Sequence, residues 1–218
     1  MIRILLVEDH AVVRNGYRRL LDAEEGLQVV GEAATADDAY ARLCEGGIDL
    51  AMVDLSLRES SGIGAIRRML AREPALRVLV VTMHDNPSFV VQAMRAGALG
   101  YLTKNSEPAE MLNAIREVAA GRRVLSAEIA QVVAGAALED DAPFSRLTPR
   151  EFDVLRMAVT GESTEQIAGR LHLSQKTVYN HMSSIRQKLG VENDFNLLRL
   201  AVRHGLTDLT GGVRLYNT

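Results

Sequence analysis

The 218-residue sequence predicts an α/β domain, a doubly wound five-stranded parallel sheet, followed by an all-α domain of four helices built on a helix-turn-helix. Two observations carry this. Over 1–122, short apolar runs alternate with amphipathic stretches, the pattern of a parallel sheet wrapped by helices on both faces. From Leu147 onward the texture changes to closely spaced helix-start and helix-stop signals with no strand-like run between them.

The apolar runs are Ile2–Val7, then 28–31, 50–54, 78–82 and Gly100–Thr103. Between them the helical period of apolar residues covers 12–21, 37–43, 63–71, 89–96 and 109–120. Ile4-Leu5-Leu6-Val7 and Val78-Leu79-Val80-Val81 are apolar at every position, as a strand covered on both faces must be. Five strands and five helices of this length suit a flavodoxin-like doubly wound fold.

A stretch at 126–138 carries Ile129, Val132, Val133 and Ala136 on one helical stripe, and the polar residues Glu139-Asp140-Asp141-Ala142-Pro143 then break it. The expected organisation is a first domain over 1–122, a partly helical linker over 123–145, a second domain over 146–210 and a tail over 211–218. In the second domain Thr148-Pro149-Arg150-Glu151 forms a capping box with proline at the first helical position, and Leu147 with Phe152 forms a hydrophobic staple. Gly161 stops that helix. Ser163-Thr164-Glu165-Gln166 is a second box, and Ser174 caps a third helix with Leu173 and Val178 as its staple. Val178, Met182, Ile185 and Leu189 predict one buried stripe on the third helix, ended by Gly190. A fourth helix is expected over 195–204. A tight turn at Leu171-His172-Leu173 completes a helix-turn-helix.

Composition narrows the function classes. The chain is 47% hydrophobic and 24% charged, the balance of a globular protein with a buried core. A single cysteine, Cys44, excludes an internal disulfide and fits a reducing, cytoplasmic setting. The N-terminal apolar run is broken at once by Glu8 and Asp9, too short for a secretory signal. No run approaches the roughly 18 apolar residues of a membrane span. The net charge of −3 is unevenly spread: 14 Lys/Arg stand against 17 Asp/Glu in 1–122, 1 against 4 in 123–145, and 10 against 7 in 146–218. A basic C-terminal third fits an anion-binding module, nucleic acid being the obvious anion, and ordinary surface charge explains it equally well.

Ligands of open α/β sheets sit at the carboxyl ends of the strands. The sequence puts Glu8 and Asp9 after the first strand, Asp54 at the end of the third, Thr82 at the end of the fourth and Lys104 after the fifth. Three converging carboxylates repel one another unless a hard cation joins them, and an all-oxygen set with few protein ligands favours Mg²⁺. An ammonium group and a hydroxyl suit phosphoryl oxygens, and a carboxylate can attack phosphorus to give an acyl phosphate. Singly, the acids are explained as well by helix capping, Thr82 by strand preference and Tyr101 by half-buried packing; only the combination points to a site.

These residues resemble the receiver domain of two-component response regulators, over all of 1–122. The resemblance implies that Asp54 is the phosphoacceptor, that Asp9 ligates Mg²⁺ directly and Glu8 partly through water, and that the Ser56 backbone carbonyl is a further ligand. It also implies that Lys104 binds phosphoryl oxygens, that Thr82 swings towards the phosphate and that Tyr101 turns inward behind it. Val81-Thr82 and Gly100-Tyr101-Leu102-Thr103-Lys104 match the family pattern. Arg58 departs from it, standing where proline is usual, and of that loop only Gly62 is kept. Met83 replaces a small residue and is expected to crowd the site. Ser56 and His84 occupy the two positions that in the family tune phosphate lifetime, so an altered lifetime is expected.

The strings Leu147-Thr148-Pro149-Arg150-Glu151, Gln166-Ile167-Ala168, Leu173-Ser174-Gln175-Lys176-Thr177-Val178-Tyr179-Asn180-His181 and Lys188-Leu189-Gly190 resemble the LuxR/FixJ-type helix-turn-helix. With the receiver, the architecture resembles NarL/FixJ-type regulators. The polar face of the third helix shows Tyr179, Asn180, Ser183 and Gln187, a surface sized for a major groove. Tyr179, Asn180 and Ser183 are the expected base readers, since asparagine pairs bidentately with adenine. Lys176, Thr177, Arg186 and Lys188 are the expected phosphate contacts, with Arg170 a further candidate; a merely solvated face is the plainer reading of the lysines. His181 is expected to be structural. The resemblance implies that the fourth helix supplies a dimer contact and that dimers read inverted half-sites; Phe195, Leu198 and Val202 suit either that contact or the core.

The expected function is therefore a phosphorylation-controlled, DNA-binding transcriptional regulator. It is expected to be no enzyme beyond Mg²⁺-dependent phosphorylation and dephosphorylation at Asp54. Its expected partners are a sensor histidine kinase, double-stranded promoter DNA and, when active, a second copy of itself, with no membrane. One alternative is an atypical receiver that binds DNA independently of phosphorylation. Another is an aspartate-nucleophile phosphatase of the haloacid-dehalogenase type, which carries a second acid two residues after the nucleophile, where this chain has Ser56.

Overall fold

The computed structural model describes residues 1–57, 61–138 and 143–207. Arg58, the polar stretch 139–142 expected to break the linker, and the expected tail lie outside the described residues. One compact unit spans Met1–Gly135 and a second begins at Ala136.

The first unit runs β1 (Ile2–Val7), α1 (Ala11–Asp22), β2 (Leu27–Ala33), α2 (Ala36–Cys44), β3 (Leu50–Val53), α3 (Gly62–Arg72), β4 (Arg77–Thr82), α4 (Pro87–Ala96), β5 (Gly100–Thr103), α5 (Pro108–Ala119) and β6 (Val124–Leu125), and ends within α6 (Ala127–Leu138). All strands pair parallel, in the order β2-β1-β3-β4-β5-β6. The sheet thus has a sixth strand beyond the five expected. Val124 and Leu125 pair with Gly100 and Tyr101, so the sheet runs past residue 122. Two residues are too short to leave a period in the sequence.

Every residue of β3 and β5 is buried, while β2 at the sheet edge alternates. Two-sided cover explains the difference. On one face Ile4, Leu6, Leu50, Met52, Leu79, Val81 and Leu102 pack with Leu21 of α1 and with Met111, Ala114, Ile115 and Val118 of α5. Helices start where a short polar side chain meets free amides: Thr35 accepts from the Asp38 amide, Ser61 from Gly64 and Asn86 from Ser88. Pro87 and Pro108 stand at first helical positions, where no amide is needed. These starts lie a few residues after the strands end, leaving short loops to carry polar groups at the sheet's carboxyl edge.

The second unit holds a 3₁₀ turn at Pro143–Arg146, α7 (Pro149–Val159), α8 (Thr164–Leu171), α9 (Gln175–Leu189) and α10 (Asp194–Arg203). Both capping boxes form, Thr148 with Glu151 and Ser163 with Gln166. Phe144, Leu147, Phe152, Leu155, Ile167, Val178, Ile185, Leu197 and Ala201 make its core. On α9 the expected stripe is buried at Val178 and Ile185 but only half-buried at Met182 and Leu189. His172 ends α8 in the left-handed conformation, φ 52°, and makes the tight turn into α9. Histidine enters that region more readily than most side chains. Among the described residues no helix is long and apolar enough to cross a membrane.

Candidate functional site

Three parallel strands deliver the acids to one edge. Glu8 and Asp9 follow β1 and Asp54 follows β3, whose registers bring Val7 beside Val53. Glu8 and Asp54 are each 3% exposed, and the Asp9 side chain is 5% exposed. Lys104, after β5, reaches back across the edge: its Nζ lies 2.6 Å from Glu8 Oε2 and 2.8 Å from Asp54 Oδ2. Burial works to lower the lysine pKa, but the bonds to Asp54 and Glu8 outweigh it and hold the ammonium above its usual range. Asp54 Oδ1 accepts from the Ser56 amide at 3.1 Å. Among the described residues the pocket is therefore a buried cluster of carboxylates faced by the Lys104 ammonium, an arrangement costly to keep unless a further positive charge can join it.

Thr82 ends β4 fully buried, and its hydroxyl accepts weakly from the His84 amide at 3.5 Å. Tyr101 is turned inward and fully buried, donating its hydroxyl to the His84 carbonyl at 2.9 Å. Burial first, then the charges of Asp54 and Asp85, push its phenol well above the usual range. His84 Nε2 lies 2.9 Å from Ser56 Oγ, and its ring stacks flat on Phe89. Met83, expected to crowd the site, is 62% exposed. Gly62 owes its place to contact. A Cβ there would meet the Asp54 carbonyl oxygen at 2.4 Å and Leu55 Cα at 2.5 Å.

Two residues of the pocket escaped the sequence reading. His10 Nδ1 lies 2.8 Å from Asp9 Oδ1 and 3.1 Å from Glu8 Oε1. Its position immediately after the two acids was the available signal. Tyr17, on α1, lines the same cleft as Glu8 and Asp54. Burial drives its phenol up to about 12; the Lys104 charge opposes this and those of Glu8 and Asp54 add to it. Only the packing of α1 brings Tyr17 there. Ligand atoms of Glu8, Asp9, His10 and Asp54 all lie within 4.8 Å of one another, a spread that suits one small divalent ion.

On α9, Lys176, Tyr179, Asn180 and Ser183 are exposed along one face, with Gln187 beyond them. Tyr179 is 61% exposed, unusual for a large aromatic side chain with nothing to cover it. Thr177 is half-buried and spends its hydroxyl on Ser174 at 2.8 Å. Two expected phosphate contacts are engaged inside the unit instead. Arg186 pairs with Asp194 at 2.7 Å, and Lys188 Nζ lies 2.6 and 2.8 Å from the two oxygens of Glu151. Glu151, 4% exposed, also accepts from Ser184 Oγ at 2.7 Å, so an acid inside the α7 capping box claims the lysine. Burial pushes the Glu151 carboxyl up, but Lys188, the Thr148 amide and Ser184 outweigh it and bring it down to about 2. Arg170 pairs with Glu162 at 2.5 Å. His181 is half-buried; its pKa is lowered by burial, with Glu151 opposing and Arg150 and Lys188 adding to the fall.

Comparison with known proteins agrees with this two-part geometry. The family of response regulator receiver domains matches residues 4–116, and the luxR family of bacterial regulatory proteins matches residues 145–201. The chain is a NarL/FixJ-type response regulator. This response regulator is 35% identical to the response regulator UvrY of Escherichia coli K12 over 209 residues, 94% of this chain and 96% of that one. It is 38% identical to the response regulator GacA of Pseudomonas aeruginosa over 211 residues, 95% and 99% of the two chains. Among solved structures it resembles RcsB from Salmonella enterica serovar Typhimurium bound to the promoter rprA with phosphomimetic BeF₃⁻. That match has a TM-score of 0.74 and 26% identity, over 91% of this chain and 97% of that one. As a response regulator with a LuxR-type DNA-binding domain, it belongs to two-component signalling and transcription regulation, and receivers are not an enzyme family.

Proposed function

We propose that Asp54 is the phosphoacceptor of this response regulator and that its phosphorylation controls promoter binding. The supporting observation is Lys104 Nζ held at once against Asp54 Oδ2 and Glu8 Oε2, over an aspartate almost wholly withdrawn from water. An Asp54 carboxylate oxygen attacks the phosphorus of a phosphohistidine on a sensor kinase. A P–O bond forms, the P–N bond breaks, and the histidine nitrogen keeps the electron pair. Glu8, Asp9, Asp54 and the Ser56 carbonyl would hold Mg²⁺, which supplies positive charge against the carboxylates and the phosphoryl oxygens. Lys104 pairs with a phosphoryl oxygen in place of Asp54 Oδ2. The Thr82 hydroxyl turns towards the phosphate, and the Tyr101 hydroxyl, through the His84 carbonyl, carries the change to the loop after β4.

We read the receiver as the first compact unit, which runs through β6 beyond the 1–122 expected and takes in part of the expected linker 123–145, and the reader as 146–210, followed by a tail at 211–218. Asn180, Tyr179 and Ser183 read base edges, and Lys176 and Thr177 hold phosphates. Arg186 and Lys188 reach phosphates only by leaving Asp194 and Glu151. The active form is a cytoplasmic homodimer on inverted half-sites of double-stranded DNA. That RcsB was solved on a promoter with a phosphomimetic supports this reading by likeness. Acetyl phosphate with Mg²⁺ should label the wild type and not Asp54→Asn, and labelling should change the affinity for selected promoter DNA. Equal affinity with and without label would favour a receiver that acts independently of phosphorylation.

A further inference from the structure

Among the described residues the proposed reaction leaves His10 and Tyr17 of the acid pocket unused, and of the two only His10 offers a metal-ligating nitrogen. It stands at the N-cap of α1 yet makes no side-chain cap bond to that helix. Its ring turns back to the carboxylates, with Nδ1 2.8 Å from Asp9 Oδ1 and 3.1 Å from Glu8 Oε1. Of the two contacts, the one with Glu8 Oε1 has hydrogen-bond geometry, in which an ionised carboxylate can only accept and Nδ1 donates its proton. That proton occupies a place a metal ion can take, because both act on the same nitrogen and oxygen lone pairs. Bonds of about 2.0–2.2 Å to a small divalent ion set opposite ligands about 4.0–4.4 Å apart. A cluster already gathered within 4.8 Å needs only a slight contraction. The ring is 52% exposed, so Nε2 can take up the proton that Nδ1 gives up.

Ligand type then decides the ion. Carboxylate and carbonyl oxygens alone suit Mg²⁺, whereas an imidazole nitrogen adds affinity for first-row transition ions and little for Mg²⁺. We propose that His10 Nδ1 is a metal ligand in this pocket and shifts its preference from Mg²⁺ towards a divalent first-row transition ion. This rests on the reading of Glu8, Asp9 and Asp54 as a metal site.

The test uses the full chain with Mn²⁺ and Co²⁺ as probes. Electron spin echo modulation of bound Mn²⁺ should show a directly bound imidazole nitrogen in the wild type, lost in His10→Gln while Mn²⁺ remains bound. By calorimetry, His10→Gln should weaken Co²⁺ about tenfold or more and leave Mg²⁺ within about twofold. A wild type without the nitrogen signal, or a signal that survives in His10→Gln, overturns the proposal. Unchanged Co²⁺ affinity in His10→Gln, with metal binding lost in Asp54→Asn, removes His10 as a ligand and keeps the acid site. A wild type that binds no divalent ion removes both.

Discussion

His84 joins the two loops that flank Asp54: its Nε2 lies 2.9 Å from Ser56 Oγ, while its ring rests on Phe89 with centroids 4.0 Å apart. The Ser56 amide in turn donates to Asp54 Oδ1, and the His84 carbonyl holds the Tyr101 hydroxyl. One residue therefore links the loop after β3 and the first turn of α4 through its ring, and the inward aromatic through its backbone carbonyl.

Losing that link should loosen Ser56 beside the phosphorylated Asp54 and admit water. Ser56→Ala and His84→Gln are each expected to shorten the lifetime of the phosphorylated form about fivefold, the worth of one hydrogen bond. The double variant should decay no faster than either single one, since both remove the same bond. Loss of radiolabel with time reads this; strictly multiplicative effects would dissociate the two residues.

Gly62 and Gly16 should respond oppositely to alanine. At Gly62 the new methyl meets the backbone of Asp54 and Leu55, which cannot swing aside as a flexible side chain would. A loss of about 1–3 kcal/mol is expected, with weaker acetyl phosphate labelling because Asp54 itself is displaced. Gly16 lies within α1 with nothing within 4 Å of the added Cβ, so alanine there should gain about 0.5–1 kcal/mol. Denaturant unfolding of both variants measures the contrast.

Glu151 should make the second unit acid-sensitive in a defined window. Its folded pKa, about 2, lies below the ordinary 4.5, so the stabilisation is fully present above pH 4.5 and fades as pH falls towards 2. The shift corresponds to about 3 kcal/mol at neutral pH. Glu151→Gln should therefore melt well below the wild type at pH 7, with the gap narrowing at pH 4 and pH 3. A gap that stays constant with pH would show that packing, not charge, is what the substitution removes.

Lys176 and Lys188 should separate in a salt titration of DNA affinity. Lys176 is exposed, and Lys176→Gln should lower the slope of log affinity against log salt by about 1. Lys188 is committed to Glu151, so Lys188→Gln should weaken binding through the fold and leave the slope unchanged. Asn180→Ala should cost about 1–3 kcal/mol on the preferred sequence only.

Much of this molecule is written locally. The apolar runs of β1 and β4, the proline opening α7 and the two capping boxes are short-range signals, and each forms where the residues place it. The acids were legible because a parallel sheet has only one carboxyl edge, so residues at strand ends must meet. The polar side of α9 was legible because the helical period separates it from Val178 and Ile185.

The partners of long or rotatable side chains were decided only by tertiary structure. Lys188 reads as a free cation in the sequence, yet 37 positions separate it from the Glu151 that claims it. His10 could as well cap α1 as turn towards Asp9, and β6 exists only because β5 offers a free edge. Periodicity and caps depend on neighbours within a turn or two of helix, which the chain itself brings together. Ion pairs, ring stacks and forbidden Cβ positions depend on distances across the fold, and those are set only when the elements pack.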